Sequence, residues 1–109
     1  MAYDRGLAQL FRDDLYHEDY IEKKMFGGLC FMVEGHMTCG VNKDGGMARV
    51  GADMWAQALE MEGVEPMTFT KRRMIGFVDI NAQTMANDDM RQKLVAMALK
   101  YVRSLPPKM

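Results

Sequence analysis

With 109 residues carrying 14 basic and 15 acidic side chains, the chain has the size of one domain and a net charge of −1. No global positive field therefore draws it to nucleic acid or to an anionic membrane. Apolar residues at 49% and charged ones at 27% match a soluble globular protein, and no run of 18 apolar residues offers a membrane span. The amino terminus lacks a signal peptide's apolar region, so cytoplasmic residence is the expectation, with Cys30 and Cys39 as thiols. Thirteen methionines are many for this length and suggest a plastic core that continues into an adaptable interface.

Asp4 can cap a first helix, with Leu7, Leu10, Phe11 and Leu15 on one face, and His17 to Asp19 close it. Ile21 to Phe26 reads as a strand and Gly27-Gly28 as a bend. Leu29 to Val33 and His36 to Val41 form a hairpin around Glu34-Gly35. Asn42 to Gly46 is a turn into a short strand, Met47 to Val50. Asp53 caps a short helix through Met61 that Gly63 ends. Pro66 to Thr70 and Gly76 to Ile80 read as strands around a Lys71-Arg72-Arg73 turn. The last helix runs from Asp88 to Arg103, its stripe formed by Met90, Leu94, Met97, Ala98 and Tyr101, and Pro106-Pro107 stops it. The fold class is α+β: an antiparallel sheet with helices packed on one face, in the order α-β(3-4)-α-β(2)-α. Residues 1–109 form a single domain without repeats.

A two-residue turn at Glu34-Gly35 makes opposed residue numbers sum to 69, which sets Val33 against His36, Met32 against Met37, Phe31 against Thr38 and Cys30 against Cys39. Cys30, Met32, Met37, Cys39 and Val41 then share an apolar face, the one expected to meet the helices. The other face carries Leu29, Phe31 and Val33 opposite Gly40, Thr38 and His36, apolar on one strand only. It suits a dimer contact, through Leu29, Phe31, Val33, His36 and Thr38, or partial cover by a loop or chain terminus.

Catalytic chemistry finds few candidates. Ser104 is the one serine, at the end of the last helix. Cys39 and His36 are three apart on a strand and point to opposite faces, so they make neither a nucleophile pair nor part of a zinc site. Facing thiols could form a switchable disulfide or, with Met32 and Met37, a soft Cu(I) site, but buried reduced thiols are the first expectation. Neighbouring carboxylates Asp13-Asp14 and Asp88-Asp89 diverge by roughly 100° on a helix and read as a solvated face and a helix start. The glycines around Arg49 lack the phosphate-loop pattern, so no catalytic residue, metal or cofactor is assigned.

Lys23, Lys24, Arg49, Lys71, Arg72 and Arg73 are the candidate anion or partner patch, provided they converge; the other reading is scattered solubilising charge. No aromatic residue interleaves with them as single-strand stacking requires, and the last helix is mixed in charge, so direct DNA binding ranks lowest.

Lys24-Met25-Phe26-Gly27-Gly28-Leu29-Cys30-Phe31-Met32, Arg49-Val50-Gly51, Pro66-Met67-Thr68-Phe69, Met74-Ile75-Gly76 and Arg103-Ser104-Leu105-Pro106-Pro107-Lys108 together resemble the amino-terminal domain of the TfoX/Sxy family along nearly the whole chain. Glu34-Gly35-His36-Met37 departs from the family's Asn-Gly-Asn-Met, and Lys71-Arg72-Arg73 from its Gly-Arg-Pro. The resemblance implies a secretion-chaperone-like α+β fold, commonly paired as dimers. It also implies a role in regulating competence genes beside a cyclic-AMP-responsive activator. Longer members add a carboxy-terminal helical domain that this chain is expected to lack. The preferred expectation is a non-enzymatic regulatory or adaptor domain acting by protein contact as a homodimer. The second is a small anion- or nucleic-acid-binding accessory domain using the basic patch.

Overall fold

The computed structural model describes residues 3–25, 27–69 and 71–106. Phe26 and Thr70, expected at strand ends, and Pro107, expected in the final stop, lie outside them.

Helix α1 spans Arg5–Asp14 behind Asp4, whose carboxylate accepts the N–H groups of Gly6 and Leu7 as the sequence predicts. Strands β1 (Tyr20–Met25), β2 (Gly28–Val33), β3 (His36–Asn42) and β4 (Gly45–Arg49) follow as antiparallel neighbours. Helix α2 covers Ala52–Leu59. The expected Asp53 cap is not used: Gly51, at φ 86°, is the N-cap and offers no side chain. Strands β5 (Val64–Phe69) and β6 (Arg72–Asn81) are longer than read, and Arg72 and Arg73 belong to β6 rather than to its turn. A four-residue helix, α3 (Ala82–Met85), was not expected; the Asn81 side chain caps it on Thr84 N. Helix α4 runs over Asp88–Arg103 as predicted, capped by Asn87 on Met90 N.

The six strands form one antiparallel sheet in the order β1-β2-β3-β4-β6-β5. Its two faces differ. Ala8 and Phe11 of α1, Leu15 just after it, Ala58 of α2, Met85 of α3 and Leu94 and Val95 of α4 join Leu29, Phe31, Cys39, Val41, Ala48, Val78 and Ile80 in the main core. The cluster on the opposite face holds Cys30, Met37, Met47 and Met67, flanked by Met25, Met32, Met74 and Phe77, with no helical residue among the described ones. The α+β class with helices on one face is therefore observed.

Glu34 (φ 54°) and Gly35 (φ 81°) make the two-residue turn, and both positive φ angles match the type I′ geometry that suits strand twist. Val33–His36 and Met32–Met37 pair as predicted. Beyond them the register shifts by one: Phe31 pairs with Cys39, Cys30 with Gly40 and Leu29 with Val41. Thr38 is the extra residue, a β-bulge. Because side chains alternate faces, one added residue exchanges the faces of everything beyond it relative to an unbroken strand. The expected Cys30–Cys39 pairing is thus corrected. Cys39 and Val41 turn to the helices with Leu29 and Phe31, while Cys30, Met32 and Met37 turn away.

The expected dimer face is corrected with it. Leu29, Phe31, Val33 and Thr38 are buried within the chain, and Phe31 stacks edge-on against Phe11 (5.9 Å between centroids) and Tyr20 (5.7 Å). His36 Nε2 lies 2.6 Å from the Pro106 carbonyl, so the segment after α4 folds back to the hairpin tip.

Gly28 sits where a Cβ would run into the Val41 carbonyl, and backbone cannot yield as a flexible side chain does. Gly28→Ala should therefore cost about 1–3 kcal/mol, as overpacking does, readable as a lower urea midpoint.

Candidate functional site: a sulfur-lined sheet face

The helix-free face is built by alternation. Lys23 opposes Cys30, Cys30 opposes Gly40, Gly40 opposes Met47, Met47 opposes Asp79, and Asp79 opposes Glu65. Directly opposed residues present side chains to the same face, so these six form one row across all six strands. Gly40 matters here. A Cβ at this position would lie 2.8 Å from the Met47 Cε, so the missing side chain is the space Met47 occupies. Cys30 and Met47 are fully buried, while Met25, Met32, Met74 and Phe77 are half-buried around them and Ile21, on the same face of β1, is 65% exposed.

Both thiols are protected, by different surroundings. Burial pushes Cys30 up to about 11 and Cys39 well above the ordinary thiol value, the latter further raised by Asp14 and Cys30. The reactive thiolate is scarce at neutral pH. Native protein at pH 8 should react with a thiol reagent far more slowly than urea-unfolded protein; two rapidly reacting thiols in the native state would contradict this placement.

Carboxylates gather at the far end of the row. Asp44, Glu65 and Asp79 line a cavity of about 310 Å³ with Asn42, Gly45, Gly46, Gly63, Ile80 and Asn81. Burial first, then Asp44 and Glu65, raises the Asp79 carboxyl above its usual range. A carboxyl whose folded pKa is raised gives stability that is full below the unfolded value and is lost as pH rises through the folded one. Asp79→Asn should therefore stabilise at pH 7 by roughly 0.2–1 kcal/mol, the scale of an opposed like-charge pair. That advantage should shrink towards pH 4 in denaturant titrations.

The six candidate cations do not converge. Lys23 and Lys24 alternate to opposite faces of β1, and β1 lies four strand steps from β6, which carries Arg72 and Arg73. Four steps are roughly 19 Å along the sheet, well past the Debye length of about 8 Å. Lys71 (φ 67°) sits in the β5–β6 turn. Arg49 stands apart from all of them. Its guanidinium lies 5.5 Å from the Phe77 ring centroid and 5.3 Å from that of Tyr101, and no carboxylate pairs with it among the described residues. Trp55 Nε1 donates to the Phe77 carbonyl at 3.0 Å, which ties α2 to the strand bearing one of those rings.

One buried charge escaped sequence reasoning. Asp14, read as part of a solvated face, is 5% exposed and holds Arg91 through Nε at 2.6 Å and Nη2 at 3.2 Å. Arg91 also donates from Nη1 to the Met85 carbonyl at 2.8 Å and pairs with Asp88 at 3.0 Å. Together these tie α1, α3 and α4. The buried positions Leu94, Ala98 and Val102, extended back one turn, land on Arg91; that placement was the available signal.

Among the described residues no group of three or more His, Cys, Asp or Glu side chains is placed to hold a metal ion. No helix of the described residues is long and apolar enough to cross a membrane. No curated protein and no solved structure matches the chain. A family model does: that of the TfoX N-terminal domain, over residues 13–101. This span takes in the whole sheet, α2, α3 and nearly all of α4, including both cysteines and Arg49. The chain belongs to the TfoX N-terminal domain family, a regulatory family linked to competence.

Proposed function

We propose that this chain is a cytoplasmic, non-enzymatic regulatory or adaptor module of competence-type gene regulation, working by protein contact through the sulfur-lined sheet face. One observation carries the reading. Half-buried Met25, Met32, Met74 and Phe77, with exposed Ile21, lie on the side of the sheet to which no helix contributes among the described residues, while α1, α2, α3 and α4 contribute to the core on the other. Methionine re-packs readily against different shapes, which suits a contact surface. The sheet's edges suit one less well: β1 presents Lys23 and Lys24, and β5 contains Pro66, both devices that discourage strand addition. In a host strain lacking the chain, the wild type should restore competence-type transcripts. A folded Met32→Glu variant should not. Unchanged transcripts on deletion would remove the competence assignment, and full restoration by Met32→Glu would remove the face.

A second reading is favoured by Arg49 alone. A guanidinium held by two rings, with no carboxylate partner among the described residues, has its donor fork set for an oxyanion before one arrives. Inorganic phosphate should then shift the Arg49 side-chain NMR signals, and Arg49→Lys, which keeps the charge but loses the fork, should weaken binding. Equal shifts at several other arginines would contradict a defined site.

A further inference from the structure

Six of the thirteen methionines lie on the sulfur-lined face, so the surface offered to a partner is also where oxidisable sulfur is concentrated. They differ in reach. Met37, Met47 and Met67 are buried, Met47 completely. Met25, Met32 and Met74 are half-buried, and the surroundings of each leave it open. Met25 opposes Gly28, which has no side chain to cover it, and Met32 opposes the exposed Ile21. Met74 lies in the stretch where the β5–β6 pairing is interrupted, beside the exposed Ile75. Met54, Met61 and Met97 are half-buried too, but they pack against the helical core on the other side.

The thiols are withdrawn from the same chemistry. Cys30 and Cys39 turn to opposite sides of the sheet, so no disulfide joins them. Both are fully buried, and thiolate is scarce at neutral pH. A hydroperoxide that reaches this face therefore meets thioether sulfur first. The sulfur lone pair attacks one peroxide oxygen, the O–O bond breaks, an S–O bond forms and water leaves. Sulfur gives up two electrons and the peroxide takes them. The sulfoxide is polar and chiral, and reductases return it to the thioether. Burying its oxygen against an apolar partner without a hydrogen bond should weaken the contact about tenfold. We infer, on the protein-contact reading above, that Met25, Met32 and Met74 are sites of reversible oxidation by hydroperoxides, and that their sulfoxides release the partner from the sheet face.

Brief treatment of the native protein with hydrogen peroxide, read by peptide mass mapping, tests the sites. Oxygen should enter at Met25, Met32 and Met74 several-fold faster than at Met47, and unfolding in urea should erase the difference. The oxidised protein should keep its urea midpoint, and a methionine sulfoxide reductase should remove the oxygen. In the transcript assay, a peroxide pulse should cut the level supported by the wild type several-fold. A variant carrying Met25→Leu, Met32→Leu and Met74→Leu has apolar side chains but no sulfur at these sites. Whatever level it starts from, the fraction that survives the pulse should be larger than for the wild type. Oxygen entering first at Met47 or Cys30, an oxidised protein that unfolds, or a leucine variant that starts from no transcripts or loses the same fraction would overturn the inference. Full restoration by Met32→Glu, measured without oxidant, would instead remove the contact reading beneath it, so the two failures are told apart.

Discussion

Replacing Arg91 with alanine is expected to cost roughly 3–5 kcal/mol, because it strands the Asp14 carboxylate in a buried site without its partner. Arg91 is 3% exposed and Asp14 5%, so water cannot substitute for the lost bonds. The hydrogen bond to the Met85 carbonyl disappears at the same time, loosening α3 from α4. Arg91→Lys should recover little, since an ammonium cannot give the paired Nε and Nη2 bonds together with the third to Met85. Removing both charges, as Asp14→Leu with Arg91→Met, should restore much of the loss, because apolar replacement avoids the desolvation cost of an ion pair. Urea unfolding monitored by circular dichroism reads all four proteins. Equal stability of the alanine variant and the wild type would show that the pair is solvated.

Phe31→Ala should be of similar size, about 3–5 kcal/mol for a fully buried aromatic side chain. Phe31 lies between α1 and the sheet with Phe11 and Tyr20 edge-on to it, and ring pairs of this geometry add to the transfer term. Met32→Ala, one residue away on the half-exposed face, should cost clearly less. The contrast between neighbours tests which side of the sheet faces the helices. If Phe31 lay on an outer dimer face, its loss would change association and leave unfolding of the isolated chain nearly unmoved.

Helix α4 was legible in full because its apolar stripe keeps helical spacing and its two ends carry matching charge. The turn at Glu34-Gly35 was legible from its length and its glycine. The bulge at Thr38 was not. Threonine is ordinary in strands, and nothing local marks a residue as supernumerary. Parity reasoning is sound only up to the first such insertion, so Met32 was paired correctly with Met37, though on the face away from the helices, and Cys30 was not paired with Cys39. The exchange of faces followed from that one residue. It moved the apolar Leu29, Phe31 and Val33 inward and the methionines outward, which relocates the contact surface without altering the fold class. Arg91 was missed for a different reason: a charge within a stripe is read as its boundary unless its buried counter-ion, 77 positions away, is known. Helix α3 is a single turn, too short for any periodicity to show.

Nuclear Overhauser contacts among β2, β3 and β4 test most directly whether the Thr38 insertion divides the sulfur atoms between the two sides of the sheet. The predicted spectrum shows the Met47 methyl group close to the Gly40 α-protons, and Cys30 paired across the strands with Gly40. A direct contact between the Cys30 and Cys39 β-protons, with Phe31 opposite Thr38, would contradict it.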